Sequence, residues 1–456
     1  MATAVSAPGK VLLAGGYTVL DPACRGLVLA LSARIHCVAS PSLPSPSSPT
    51  AGRITVRSPQ FQDAVWEYQV SPSDIDGAGV SVVQTNDGDG NPFVLTTLKY
   101  VLSYLSLPTP PSTTLTILAD NPYYSQPPPP IPRFNNLPFP IKSAYKTGLG
   151  SSAALVTSLT SCLLLHFSPE HDKINNNKDG EEGGGEGLEK HILHNLAQTS
   201  HCAAQGKVGS GFDVAAATYG SCIYRRFPPS LLSTIPDPTT SPEFTKSLKN
   251  VINQRWETME CDPITLPEQI GLLMGDVQCG SSTPGMVKTV LNWRSNGGEE
   301  AEEVWKGLNS KNEALIAVIQ GINNNSTDNN TSEKEEDESL TSHIHQIRAT
   351  IRHLSAQTSV PIEPPTQTAL LDSATALPGV IGGVVPGAGG YDAVCFLYRK
   401  NDGVEADLRR FLGEWKVENG VVKVLELGME GGEGVRVEDV KGYADVKGYF
   451  EGVVEL

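Results

Sequence analysis

The sequence predicts a mixed α/β chain folded as two halves, and three observations carry that expectation. Runs rich in β-branched and aliphatic residues alternate with helical patterns along the chain. A glycine-rich loop at 146–150 opens directly into a long uncharged helical run. Residues 228–268, rich in Pro, Ser and Thr and then polar, separate one mixed segment from a second. The chain has 456 residues, enough for two or three domains with full cores.

In chain order, 11–13 and 27–38 are expected as strands. Residues 151–167 are expected as a buried helix, 188–205 as an amphipathic helix with Ile192, Leu193 and Leu196 on one side, and 214–219 as a short alanine-rich helix. In the second half a strand is expected at 270–275, helices around 283–320 and 340–357, a glycine-rich segment at 379–390 and a buried strand at 394–397. The domain boundaries follow: 1–227, a linker at 228–268, and 269–456. Four stretches (40–52, 120–140, 172–187 and 323–339) are expected as insertions at loop tips far from the chemistry, because their Pro-, Asn- or Glu-rich composition offers little apolar surface to offset ordering.

Composition narrows the function. A formal charge of −16 argues against a nucleic-acid surface or an anionic membrane partner, so any phosphate site must concentrate its own basic residues. The eight cysteines include no Cys-x-x-Cys pair, which disfavours zinc and dithiol chemistry; they read as small buried hydrophobes in a reducing compartment. The N-terminus has no basic region followed by an apolar core, and the longest apolar stretch is too short to span a bilayer. A cytoplasmic protein is the expectation.

The most telling segment is Lys146-Thr147-Gly148-Leu149-Gly150-Ser151-Ser152-Ala153-Ala154. Gly148 and Gly150 permit backbone conformations that a Cβ would block, and Ser151 and Ser152 place hydroxyls beside free N–H groups where the helix dipole favours negative charge. The segment also fits the dinucleotide pattern Gly-x-Gly-x-x-Ala, yet the residues before it are too polar for a central parallel strand. A P-loop needs Gly-Lys followed by Ser or Thr, and Val follows both Gly9-Lys10 and Gly206-Lys207.

Three further stretches bear on the chemistry. In residues 6–17 Lys10 is the single charge, at the sharp entry to an apolar strand; it is either a solvated edge residue or a partner for a phosphate oxygen or an acidic catalytic group. Residues 205–217 bracket Ser210 with three glycines and deliver Asp213 to the start of a helix, where a plain N-cap is the alternative. Residues 386–393 are glycine-rich and end in Tyr391-Asp392-Ala393, which a simple turn would also explain.

Taken together and in this order, these stretches resemble the GHMP small-molecule kinases: Pro8-Gly9-Lys10-Val11 is similar to the first family motif, Gly148 to Ala154 to the second and most specific, and Gly387 to Asp392 to the third. The resemblance covers most of the chain apart from the insertions. It implies a two-domain fold, an N-terminal ribosomal-S5-like domain and a C-terminal ferredoxin-like domain, with ATP in the cleft between them. Gly15-Gly16-Tyr17, His201 to Ala217 and Gly275 to Lys288 resemble the fungal and plant branch whose acceptor is phosphomevalonate.

The resemblance implies ATP and Mg2+ as cofactors and small-molecule substrates as partners, with neither nucleic acid nor membrane expected; it leaves the oligomeric state open. It gives Lys10 and Asp213 catalytic roles, with Asp213 as the family's base. It gives Lys146, Gly148, Leu149, Gly150, Ser151, Ser152, Ala153 and Ala154 to the nucleotide, with Ser152 on the metal. It gives Tyr17, Lys207, Ser210, Ser282, Lys288, Gly387, Ala388 and Gly389 to the acceptor. Lys142 and Arg225 are further candidate cations. Mevalonate-specific relatives carry a metal-binding glutamate about a dozen residues before the aspartate; here that region is Ser200-His201-Cys202, without an acid.

Overall fold

Strand β1 (Thr3–Ala14) is buried along nearly its whole length, and β2 (Arg25–Pro41) pairs with it antiparallel from Thr3↔Ala39 to Ala14↔Leu27. The register shifts between Pro8 and Lys10. Proline lacks the N–H a ladder needs, so the strand bulges there and Lys10 leaves the regular pleat. The computed structural model describes residues 2–42, 51–127, 130–168, 173–175, 187–277, 283–325, 332–417, 420–429 and 432–450.

Helix α1 (Pro92–Tyr104) precedes β3 (Thr113–Ala119), which pairs with the second half of β2. Three further strands extend the sheet beyond β3, and the first of them, Arg53–Arg57, runs parallel to it. Helices α2 (Ser151–Phe167), α3 (Lys190–Gln205) and α4 (Phe212–Tyr219) pack with α1 into one layer, with α2 against β1 and β2. The bounds of α2 are those the sequence predicts. It has no polar face because it is covered on nearly all sides, and Ser158 and Ser161 bond carbonyls of their own helix.

Strand β4 (Cys222–Arg225) pairs with the start of β2. Residues 228–268, expected as a linker, include α5 (Phe244–Asn253), which packs on α3, and β5 (Glu260–Pro263), which adds to β4 at the edge of the large sheet. The second sheet is antiparallel. It comprises β6 (Ile270–Asp276), then, beyond helices α6 (Thr283–Asn296), α7 (Gly298–Asn325) and α8 (Glu333–Thr358), strands β7 (Val380–Val384) and β8 (Ala393–Arg399), with a short Lys423–Val424 strand on β6. Helix α7 packs on both β2 and α8, so one apolar cluster runs through both halves. Residues Arg436–Val437 return to pair with β1.

Several local expectations differ from the structure. Helix α3 begins at Lys190; Leu188–Glu189 instead pairs parallel with Ile174–Asn175. Helix α4 begins two residues early, at Phe212. The 120–140 stretch is not a loop tip: Tyr123, Tyr124, Phe134 and Leu137 are buried. The acidic part of 323–339 is helical. Ser332 caps α8 in a reciprocal box with Glu335, and buried Arg399 binds Glu336 and Asp337. Residues 43–50, 128–129, 176–186 and 326–331, also within these stretches, lie outside the described residues. Among the described residues no helix is long and apolar enough to cross a membrane.

Candidate active site

The loop at 147–150 meets the bulge of β1. Gly148 and Gly150 adopt left-handed conformations, with φ of 78° and 80°. Gly150 is the N-cap of α2 and no side chain caps that end, so the helix start is open to an anion. The Lys10 backbone N–H donates to Leu149 O at 3.0 Å, and its Nζ donates to Gly148 O at 3.0 Å. The close fit leaves little space at Gly150, where a Cβ would lie 3.1 Å from Lys10 Cε.

Asp213 sits in the first turn of α4, not at its cap. Gly211, with φ of 87°, is the N-cap, since a Cβ there would come within 2.6 Å of Tyr224 Oη and 2.7 Å of Phe227. The carboxylate is near enough to act on two neighbours. Burial pushes the Lys10 ammonium below its usual range, and Asp213 opposes that shift. Burial likewise lowers the His201 imidazole, with Asp213 opposing and Lys207 adding to the effect. His201 Nε2 lies 3.0 Å from Ser152 Oγ and 3.1 Å from Gln205 Nε2, and its ring stacks on Phe93. Lys10, Ser152 and Asp213 therefore converge on one place.

Two cavities flank the loop. One, of about 720 Å³, lies between the halves and is lined by Lys10, Tyr17, Lys207, Ser210, Asp213, Lys288 and the 387–389 turn. The other, of about 570 Å³, lies beyond Ser151 and Ser152; Lys146 and Lys142 line it, with Trp66, Phe93 and Leu155 as apolar wall. The halves touch at the first cavity. Tyr17 Oη donates to Ala388 O at 2.7 Å, and a Cβ on Gly16 would lie 2.9 Å from Gly387 O.

The remaining predicted residues are placed as follows. Lys146, Lys207 and Lys288 are exposed at the cavity walls. Leu149, Ala153 and Ala154 have buried side chains, and the Ala154 N–H bonds Gly150 O. The Ser210 carbonyl accepts from Tyr224 Oη at 2.9 Å. Ser282 lies outside the described residues. Lys142 is paired with Asp89 at 2.5 Å. Arg225 pairs with Glu260 and does not line the first cavity; its neighbour Arg226 does. Arg226 and His201 are the residues sequence reasoning passed over. The i, i+4 spacing of His201 and Gln205 is the readable sign for one, while nothing local marks the other, which directly follows the last residue of β4.

Among the described residues no group of three His, Cys, Asp or Glu is placed to hold a metal ion. The donors at the loop fit an ion that takes one protein hydroxyl and otherwise phosphate and water oxygens.

No family model matches the chain. By fold it groups with the GHMP kinases: a phosphomevalonate kinase from Streptococcus pneumoniae, solved with phosphomevalonate and AMPPNP, superposes with a TM-score of 0.62 at 14% identity, covering 93% of this chain and 98% of that one. By sequence it is 43% identical to the phosphomevalonate kinase erg8 of Aspergillus fumigatus, over 97% of this chain and 98% of the relative. It is also 43% identical to that of Gibberella zeae with the same coverage. The chain belongs to the phosphomevalonate kinase family.

Proposed function

We propose that this chain transfers the γ-phosphoryl group of ATP to the phosphate of (R)-5-phosphomevalonate, giving the 5-diphosphate and ADP. One observation carries the reading: two cavities flank an uncapped helix start beside which Lys10, Ser152 and Asp213 lie. The larger cavity takes the acceptor. The smaller takes the nucleoside, with its base against the apolar wall and its phosphates on the 148–152 backbone.

An acceptor phosphate oxygen attacks the γ-phosphorus in line, forming one P–O bond as the bond to the β–γ bridging oxygen breaks. Most of the barrier is lowered by positioning and charge neutralisation. Lys10 holds its ammonium at the loop, ready for charge developing on the transferred group. Two polyanions repel one another, so Lys146 on the nucleotide side and Lys207 and Lys288 on the acceptor side offset that repulsion. Magnesium, carried in on ATP, would be held by Ser152 and would neutralise phosphate charge. In the neutral tautomer protonated at Nδ1, the His201 Nε2 would accept a hydrogen bond from the Ser152 hydroxyl, which would leave the oxygen lone pairs available to such an ion. The acceptor's second pKa is about 6, so it is already largely dianionic at neutral pH; Asp213 then orients Lys10 and the acceptor more than it removes a proton. The two lobes are the large sheet with its helices, completed by 260–263 and 436–437, and the second sheet with α6 to α8.

ADP release measured with mevalonate, phosphomevalonate and homoserine in turn tests the assignment. Phosphomevalonate is expected to support turnover and the two alcohols to support little. Turnover with mevalonate and none with phosphomevalonate would refute it.

A further inference from the structure

Four arginines are buried among the described residues: Arg34, Arg226, Arg348 and Arg399. Three of them meet carboxylates. Arg34 lies 3.9 Å from Glu438, Arg348 binds Glu363 and Asp372 at 2.8 Å, and Arg399 binds Asp337. That is the ordinary condition of a buried charge, since removing it from water uncompensated is costly. Arg226 is the exception. It is 8% exposed and has no carboxylate within ion-pair distance among the described residues, although Asp213 lines the same cavity. Its Nη1 donates to Leu20 O at 2.8 Å and its Nη2 to Gly209 O at 2.6 Å and Val208 O at 3.2 Å; its Nε has no partner. A guanidinium stays charged under these conditions. A fixed positive charge whose hydrogen bonds all go to carbonyls, with no carboxylate paired to it, therefore stands in the wall of the 720 Å³ cavity.

We propose that Arg226 is a specificity-determining residue, its unpaired buried charge completing its ion pair with the phosphate that the acceptor already carries. This rests on the reading that the larger cavity takes a phosphorylated acceptor. It explains why the chain keeps a buried cation there without a counter-ion: the counter-ion arrives with the substrate. An acceptor of the same carbon skeleton that lacks the phosphate, mevalonate with its carboxylate alone, leaves the charge at Arg226 uncompensated, so the cavity disfavours it for the phosphate it lacks, over and above how well its carbon skeleton fits.

The competing role is mechanical. Three carbonyl bonds clamp the 208–209 loop to Leu20, and the two roles predict different variants. Arg226→Lys keeps the charge and loses the fork; Arg226→Gln loses the charge. Initial rates are measured for wild type and both variants against phosphomevalonate and MgATP, with circular dichroism to check folding. Arg226→Gln is expected to raise KM for phosphomevalonate about tenfold or more with KM for ATP within about twofold, and Arg226→Lys to stay within about threefold of wild type for both. Equal impairment by both variants, or a joint rise in both KM values, overturns the proposal in favour of the clamp. If Arg226→Gln does not fold, Arg226→Lys decides alone: a retained KM supports the charge, and a tenfold rise refutes it. A wild-type enzyme that turns over another acceptor and not phosphomevalonate removes the underlying reading before either variant is considered.

Discussion

At the scale of single residues, the division of labour between Lys10 and Asp213 is the sharpest point. Lys10 is fixed by two hydrogen bonds to the loop and held in dense surroundings that disfavour its charge, with the Asp213 carboxylate acting against that. If Asp213 mainly orients Lys10 and the acceptor, Asp213→Asn should lose a similar factor of activity at pH 8, where the acceptor phosphate is dianionic, and at pH 5.5, where much of it holds a proton, the second pKa of such a monoester being about 6. Rates across that range check this, and a loss concentrated at pH 5.5 with near-normal activity at pH 8 would make Asp213 a base for the protonated acceptor. Both residues were legible because each sits in a short motif whose glycines and lone charge stand out locally. Arg226 was not. Arg225 and Arg226 are adjacent, and which one faces the cleft depends on β4 pairing with β2, about two hundred residues away in sequence. His201 was hidden differently, because a search for a metal-binding acid passes over a histidine whose partner is a serine on another helix.

At the scale of elements, the loop before α2 does its work through backbone shape. Gly148 and Gly150 share nearly the same left-handed φ, but they differ in surroundings: a Cβ at Gly148 meets nothing within 4 Å, whereas one at Gly150 meets Lys10 Cε at 3.1 Å. Both alanine variants carry backbone strain of roughly 1 kcal/mol. Gly150→Ala also displaces Lys10, so it should cut kcat about tenfold or more beyond Gly148→Ala, while the two lose similar thermal stability. Steady-state kinetics and melting temperatures for the pair check this. Helix α2 was readable to its ends because its uncharged run and its flanking glycine and serine are all local signals. The start of α8 was not. Its Glu-rich first turn looks like solvated linker in sequence, and only the capping box with Ser332 and the distant Arg399 make those acids structural. Proline and polar content likewise concealed Tyr123 and Phe134, whose buried rings fix the 120–140 segment to the sheet.

At the scale of the whole molecule, the two halves are joined by one apolar cluster and by polar ties, Tyr17 to Ala388 at the cleft and Arg25 to Glu313. The alternation of strands and helices made the mixed architecture legible. The return of Arg436–Val437 to β1 and the addition of β5 to the first sheet were not, because such long-range pairing leaves no periodic trace in the residues that make it. The account depends on the cleft gripping a nucleotide and a second anion together, on opposite sides of one loop. Calorimetric titration of phosphomevalonate into enzyme saturated with AMPPNP tests this most directly. Affinity equal to or tighter than that of the nucleotide-free enzyme is the predicted result. Loss of phosphomevalonate binding in proportion to AMPPNP occupancy would show that the two compete for one site and would contradict it.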